Sequence, residues 1–173
     1  VVLKTPAVDL QADEAALERF LLEEWIARRM HSPNVLRAVP NQRRREHLFV
    51  ALEYIPGQTL AQWMTDHPRP QLAEVRGIAI QIARGLQAFH RMEMLHQDLR
   101  PENVLIDATG TVKIIDFGAV CVAGLEESRV ADRPADILGT LQYTAPEYFL
   151  GEAGTPRSDL FSLGVVLYET LCG

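Results

Sequence analysis

The sequence predicts an α+β fold, and three patterns carry that expectation. Short apolar runs of strand type stand at residues 1–3, 35–39, 47–52, 104–107 and 112–115. An amphipathic helical pattern fills residues 13–30, between the first two runs. Two further helical patterns follow, one over residues 72–92 and one from Ser158 onward. Strand-type runs and helical patterns share the chain without a regular strand–helix alternation.

Composition narrows the class. The 173 residues make one domain's worth of chain, and a hydrophobic content of 47% can fill a core. A net charge of -6 and a pI near 5.4 argue against a nucleic-acid or anionic-membrane surface. Arg43, Arg44 and Arg45 form the only basic run, and between two strand-type segments they read as a solvated turn. Cys121 and Cys172 are far apart and in no C-x-x-C pattern, as reduced thiols of a cytoplasmic protein would be. No run of 18 apolar residues and no signal peptide occurs, so no membrane contact is expected from this span. The chain opens on Val1 and stops inside an apolar helical pattern, so a longer parent protein is expected.

In chain order, Lys4 closes the first strand as an exposed lysine. In the helix over 13–30, Leu17, Phe20, Leu21, Glu24 and Arg28 share one set of i, i+3, i+4 spacings, and Leu22, Ile26 and Met30 another. Asp13 and Glu14 at its start and Arg28 and Arg29 near its end suit the helix dipole, and Ser32-Pro33 stops it. After the strands at 35–39 and 47–52, Pro56-Gly57 turns the chain. Thr59 is a candidate N-cap for a short helix to Asp66. The pattern over 72–92 places Val75, Ile78, Ala79, Ile82, Leu86 and Phe89 on a buried face, with His90 and Arg91 suiting its negative end. Ala108-Thr109-Gly110 turns a hairpin between the strands at 104–107 and 112–115. Residues 119–144 are polar and aperiodic, as a loop is. Ser158 is a candidate N-cap, Asp159 adds charge to the first turn, and the helix that follows is apolar nearly all round.

One stretch carries chemistry. It reads His96-Gln97-Asp98-Leu99-Arg100-Pro101-Glu102-Asn103, then nine residues, then Lys113-Ile114-Ile115-Asp116-Phe117-Gly118. Asp98, Asn103 and Asp116 form a constellation of oxygen ligands. Phosphoryl transfer needs one carboxylate to orient a hydroxyl nucleophile, and an amide oxygen and a carboxylate to hold Mg²⁺ against phosphates. Mg²⁺ takes few protein oxygens, so Asn103 and Asp116 suffice.

This stretch resembles the catalytic and metal-binding loops of the protein kinases. The resemblance implies a two-lobed kinase-like α+β fold, truncated at both ends, without the Gly-rich loop strands and the C-terminal helices. It divides the chain into a partial N-lobe over 1–52, a hinge over 53–57 and a partial C-lobe over 58–173. It implies ATP and Mg²⁺ as cofactors and a protein substrate phosphorylated on Ser or Thr. Asp98 would be the base, with Asn103 and Asp116 on the metal. Lys4 would hold the α- and β-phosphates and pair with a glutamate of the first helix; Glu23 fits the family spacing, with Glu24 its adjacent rival. Val2, Leu52, Leu105 and the backbones of Glu53 and Ile55 would surround the adenine. Phe117 would pack on the long helix. Gly139-Thr140-Leu141-Gln142-Tyr143-Thr144-Ala145-Pro146-Glu147 resembles the segment that seats a protein substrate, with Thr140 contacting Asp98. Glu147 would find its arginine beyond Gly173, and Asp159 would bond the catalytic-loop backbone.

Three positions depart from the family pattern. Val2 stands where the family carries a small alanine, which would tighten the adenine pocket. Arg100 stands where serine/threonine kinases usually carry lysine; it would keep positive charge near the transferred phosphoryl group. Gln97 replaces the arginine that receives an activation-loop phosphate, which argues against control by that phosphate. The wording of E-E-W-I-A-R-R, T-L-A-Q-W-M and T-A-P-E-Y-F-L-G is similar to the kinase half of bacterial proteins that fuse a type 2C phosphatase to a serine/threonine kinase. Rival readings are a pseudokinase that binds ATP and, less well supported, a small-molecule kinase. The span by itself is expected to be inactive.

Overall fold

The computed structural model describes residues 1–6, 14–40, 47–123 and 141–173. Strand β1 (Val2–Lys4) pairs antiparallel with β2 (Val50–Leu52), with Lys4 opposite Val50. Helix α1 (Glu14–Arg29) lies between them in sequence and buries Phe20, Ile26 and Ala27. A second sheet has the order β3 (Gly57–Thr59), β5 (Val104–Asp107), β6 (Val112–Ile114), all antiparallel. Helices α2 (Leu60–Asp66) and α3 (Leu72–His90) follow β3. A small ladder joins β4 (Met94–Leu95) to β7 (Cys121–Val122), and α4 (Pro146–Phe149) and α5 (Pro156–Cys172) complete the order.

The mixed α+β expectation holds, and local chemistry explains most elements. Thr59 caps α2 by accepting from the Gln62 N–H at 3.2 Å, while Gln62 answers the Thr59 N–H at 2.9 Å. The β5–β6 hairpin turns through Gly110 at φ 81°, a backbone region that costs glycine nothing. Asp107 clasps this turn: its Oδ1 accepts from the Thr109 and Thr111 N–H groups at 2.8 and 2.9 Å. Ile82, Leu86 and Phe89 of α3 pack with Leu99, Val104 and Ile114 in one core. Full burial of each such side chain contributes about 1.5–3 kcal/mol. Gly85 lets α3 approach closely, since a Cβ there would lie 2.8 Å from the Asn34 backbone oxygen.

Four local expectations are corrected. Residues 35–39 form no continuous strand. Val35 bridges Ile114 in parallel and Ala38 bridges Leu52 antiparallel, so the segment changes partner along its length. The Leu36 N–H donates to Ile114 O, the Ala38 N–H to Ala27 O and the Val39 N–H to Ala51 O. The strand expected over 47–52 shortens to Val50–Leu52. The N-cap of α5 is Thr155, which accepts from the Arg157 N–H at 3.2 Å; Ser158 sits one turn in and closes the capping box. Proline at position 156 suits that start, because a first-turn N–H has no helical partner. Nor is α5 buried all round: Leu163 and Val166 face the core, while Leu160, Phe161, Tyr168 and Leu171 are exposed. His90 stands in the last turn of α3 as expected, and its ring is taken by Asp159. Asp13 and the arginine run at 43–45 lie outside the described residues.

Candidate active site

Lys4 at the end of β1 reaches across to α1. Its Nζ lies 2.7 Å from Glu23 Oε1 and 3.7 Å from Asp116 Oδ1. Glu24, the adjacent carboxylate, points elsewhere and pairs with Arg28 one helical turn on, at 2.8 Å. Successive helix residues are about 100° apart, so only one of the two can face β1. Burial raises the Glu23 carboxyl above its usual range, against the pull of Lys4. Burial works against the Lys4 ammonium too, but Glu23 and Asp116 outweigh it and hold the charge on. Asp116 also loses solvation, yet Lys4, Glu23 and the Gly118 N–H keep its carboxyl below the ordinary value. The result is a lysine held between two acids.

Asp98 and Asn103 form the second cluster. The turn Pro101–Asn103 brings the Asn103 amide back over Asp98, where it donates to the backbone oxygen at 2.8 Å and to Oδ2 at 2.9 Å. Burial raises the Asp98 carboxyl above its usual range, against His96 and the Asn103 donor. With its nitrogen committed to Asp98, Asn103 keeps its amide oxygen for other partners. That oxygen and the ionised Asp116 are a donor set suited to a hard divalent cation. Among the described residues, no cluster of three His, Cys, Asp or Glu side chains competes as a metal site.

Sequence reasoning missed how these clusters are joined. His96 is almost fully buried, and its Nε2 lies 2.8 Å from the Asp116 carbonyl oxygen. A carbonyl can only accept, so Nε2 carries the proton and Nδ1 is left without a partner among the described residues. Burial lowers the His96 pKa, so the ring is neutral near pH 7. Asp159, wholly buried at the start of α5, accepts from the His96 N–H at 3.0 Å, the Gln97 N–H at 2.9 Å and His90 Nε2 at 2.8 Å. The backbone at His96 and Gln97 thus hangs from one carboxylate, the contact that the resemblance implies for Asp159. No sequence signal announced His90: it ends α3, 69 positions before Asp159 at the start of α5, and only tertiary packing closes the gap.

The remaining expected residues fall as follows. Leu52 lines a small, mostly apolar recess with Val50, Ala27, Ile115 and Phe117, beside the Lys4–Glu23 pair. Phe117 packs against Phe89 of α3, ring centres 5.7 Å apart. Ile55 packs partly buried against the core. Glu53 is anchored by the Lys113 ammonium at 2.6 Å and the Arg37 N–H at 3.0 Å. Leu105 is half-buried on β5, and Val2 is exposed on β1. Arg100 is turned to the exposed Glu102 at 2.7 Å, which raises its pKa, and this differs from a guanidinium held free for a phosphoryl group. Glu147 is met inside the chain by the Ser158 hydroxyl. Thr140 lies outside the described residues. A cavity of about 390 Å³ opens between β1, α1 and the 116–118 loop, lined by Lys4, Pro6, Arg19, Phe20, Glu23 and Asp116. No described helix is long and apolar enough to cross a membrane.

Comparison with known proteins matches residues 1–173 to the protein kinase domain. The chain is 34% identical to the serine/threonine-protein kinase PknA of Corynebacterium glutamicum, aligning over its whole length with 37% of that protein. It is 30% identical to PrkC of Bacillus subtilis, covering 26% of it, and 35% identical to PknL of Mycobacterium tuberculosis, covering 43%. It spans about a third of the length of the curated relatives it matches. The Asp98–Asn103 clamp, a lysine paired across to Glu23 beside Asp116, and a match from first residue to last agree: the chain belongs to the protein kinase domain family.

Proposed function

We propose that this chain is the catalytic portion of a serine/threonine-protein kinase that moves the γ-phosphoryl group of ATP to Ser or Thr hydroxyls of a protein substrate. The observation that carries this reading is the pairing of Lys4 with Glu23 beside Asp116, whose backbone carbonyl is tied by the His96 ring to the loop that holds the Asp98–Asn103 clamp. The matched relatives are named serine/threonine-protein kinases, which supports the hydroxyl acceptor.

In this reading residues 1–52 belong to the N-lobe, 53–57 to the hinge and 58–173 to the C-lobe. Asp98 orients the substrate hydroxyl and takes its proton late; such assistance is typically worth ~10²–10⁴-fold. Lys4, fixed by Glu23, holds phosphate oxygens. Asn103 and Asp116 would hold Mg²⁺, and bound Mg²⁺-ATP supplies the transferable group and the neutralising charge. Leu52, Leu105, Val2 and the backbone at Glu53 and Ile55 would enclose the adenine. Arg100 serves the phosphoryl group only after leaving Glu102, and Thr140 is assigned to substrate contact by resemblance. A cytoplasmic location and a fused type 2C phosphatase rest on the sequence reading.

The test is transfer of labelled γ-phosphate by the whole natural protein, beside its Asp98→Asn form, with phosphosites mapped. The expected result is label on Ser or Thr that falls at least ~10²-fold in the variant while ATP affinity stays nearly intact. ATP binding without transfer would point to a pseudokinase, and wild-type turnover by Asp98→Asn would remove Asp98 as the base.

A further inference from the structure

Gln97 sits between His96 and Asp98 with a φ of 65°. A non-glycine residue in this left-handed region carries strain and must be held from outside. Two contacts hold it. Its N–H donates to Asp159 Oδ1 at 2.9 Å, and its side-chain Nε2 donates to the Tyr148 hydroxyl at 3.1 Å. Tyr148 is itself placed. It belongs to α4, whose Glu147 receives the Ser158 hydroxyl of α5. Its ring ends against Gly154, where a Cβ would lie 1.9 Å from the Tyr148 oxygen. The position therefore admits no side chain while the hydroxyl stays where it is. Burial raises the Tyr148 pKa, so the phenol is neutral and carries no charge into the loop.

We infer that Tyr148 is a positioning residue: through Gln97 it fixes the backbone that aims Asp98, and ties the loop to α4 by a neutral hydrogen bond. The inference rests on the kinase reading for its kinetic consequence, but not for its structural one. Asp98 follows Gln97 directly, so a rotation at the strained φ of Gln97 swings the carboxylate. Misplacement by about 1 Å can cost ~10²-fold in rate. Loss of one of two restraints should cost less.

The experiment uses the whole natural protein with Tyr148→Phe, Gln97→Ala, the double variant and Gly154→Ala. Steady-state transfer is measured with Mg²⁺-ATP varied, and backbone hydrogen–deuterium exchange is followed at residues 95–99. Tyr148→Phe should lower kcat about five- to tenfold with KM for ATP within about twofold. The double variant should be no worse than the poorer single, because both remove one contact. Gly154→Ala should match Tyr148→Phe. Exchange at His96 and Gln97 should quicken, with residues 78–86 of α3 unchanged as the folding control. Unchanged exchange at 95–99 in Tyr148→Phe overturns the inference, as do losses that multiply in the double variant. A wild-type protein that transfers no phosphate defeats the kinase reading instead, and the exchange data still decide the tie.

Discussion

The side-chain amide nitrogen of Asn103 donates to two oxygens of Asp98 at once, the backbone carbonyl at 2.8 Å and Oδ2 at 2.9 Å. One amide therefore fixes both the main chain and the carboxylate of the candidate base. It does so with the half of the group that a cation cannot use.

That division of labour makes Asn103→Asp informative. The substitution keeps an oxygen for a cation but replaces the donor with a second carboxylate against Asp98. We expect kcat to fall by ~10² or more while Mg²⁺-dependent ATP binding survives, measured by transfer kinetics and by ATP titration at fixed Mg²⁺. Equal losses in both would mean that Asn103 acts on the cation alone.

The two neighbouring glutamates of α1 should separate cleanly. Glu23→Gln leaves Lys4 without its charged partner and should lower kcat/KM for ATP at least roughly tenfold. Glu24→Gln breaks an exposed-arginine pair at 2.8 Å on the other side of the helix and should change it less than about twofold. Steady-state kinetics of both variants in the whole natural protein decide the matter, and a reversed order would assign the pair to Glu24.

Asp159 is wholly buried and accepts three hydrogen bonds, two from the loop backbone and one from His90. Asp159→Ala strands those donors and should destabilise the fold by about 3 kcal/mol, read from denaturant unfolding. Asp159→Asn retains one oxygen acceptor and should cost less stability, yet still lose transfer activity. A neutral effect of Asp159→Ala on both readouts would show that the loop is held by other contacts.

The hairpin clasp gives a pH test. Hydrogen bonds from Thr109 and Thr111 hold the Asp107 carboxyl below the ordinary aspartate value of 3.8, against a small loss of solvation. Its folded-state pKa is depressed, so its contribution is present above pH 3.8 and is lost as pH falls through the folded value. Asp107→Asn should lower Tm by roughly 2–4 °C near pH 7, and the gap should close in acid. A Tm difference that persists unchanged below that window would locate the effect in packing.

The sequence by itself determined the residue types and their order: an α+β chain, four helices at nearly their observed places, the β5–β6 hairpin, the Thr59 cap, and a set of oxygen-bearing side chains with kinase spacing. These are short-range properties, fixed by helix periodicity, turn chemistry and motif spacing within a few residues. Tertiary structure alone decided which glutamate meets Lys4, because Glu23 and Glu24 differ only by about 100° around the helix axis and one of the two faces β1. It also turned Arg100 onto Glu102, broke residues 35–39 into contacts with three partners, and added His90 and Tyr148 to the Asp159 anchor that the resemblance already implied for the loop at 96–98. The contacts of Asp159 and Tyr148 join residues 51 to 69 positions apart. No local pattern encodes such a meeting; it arises when α3, α4 and α5 pack and a buried carboxylate must find every donor within reach.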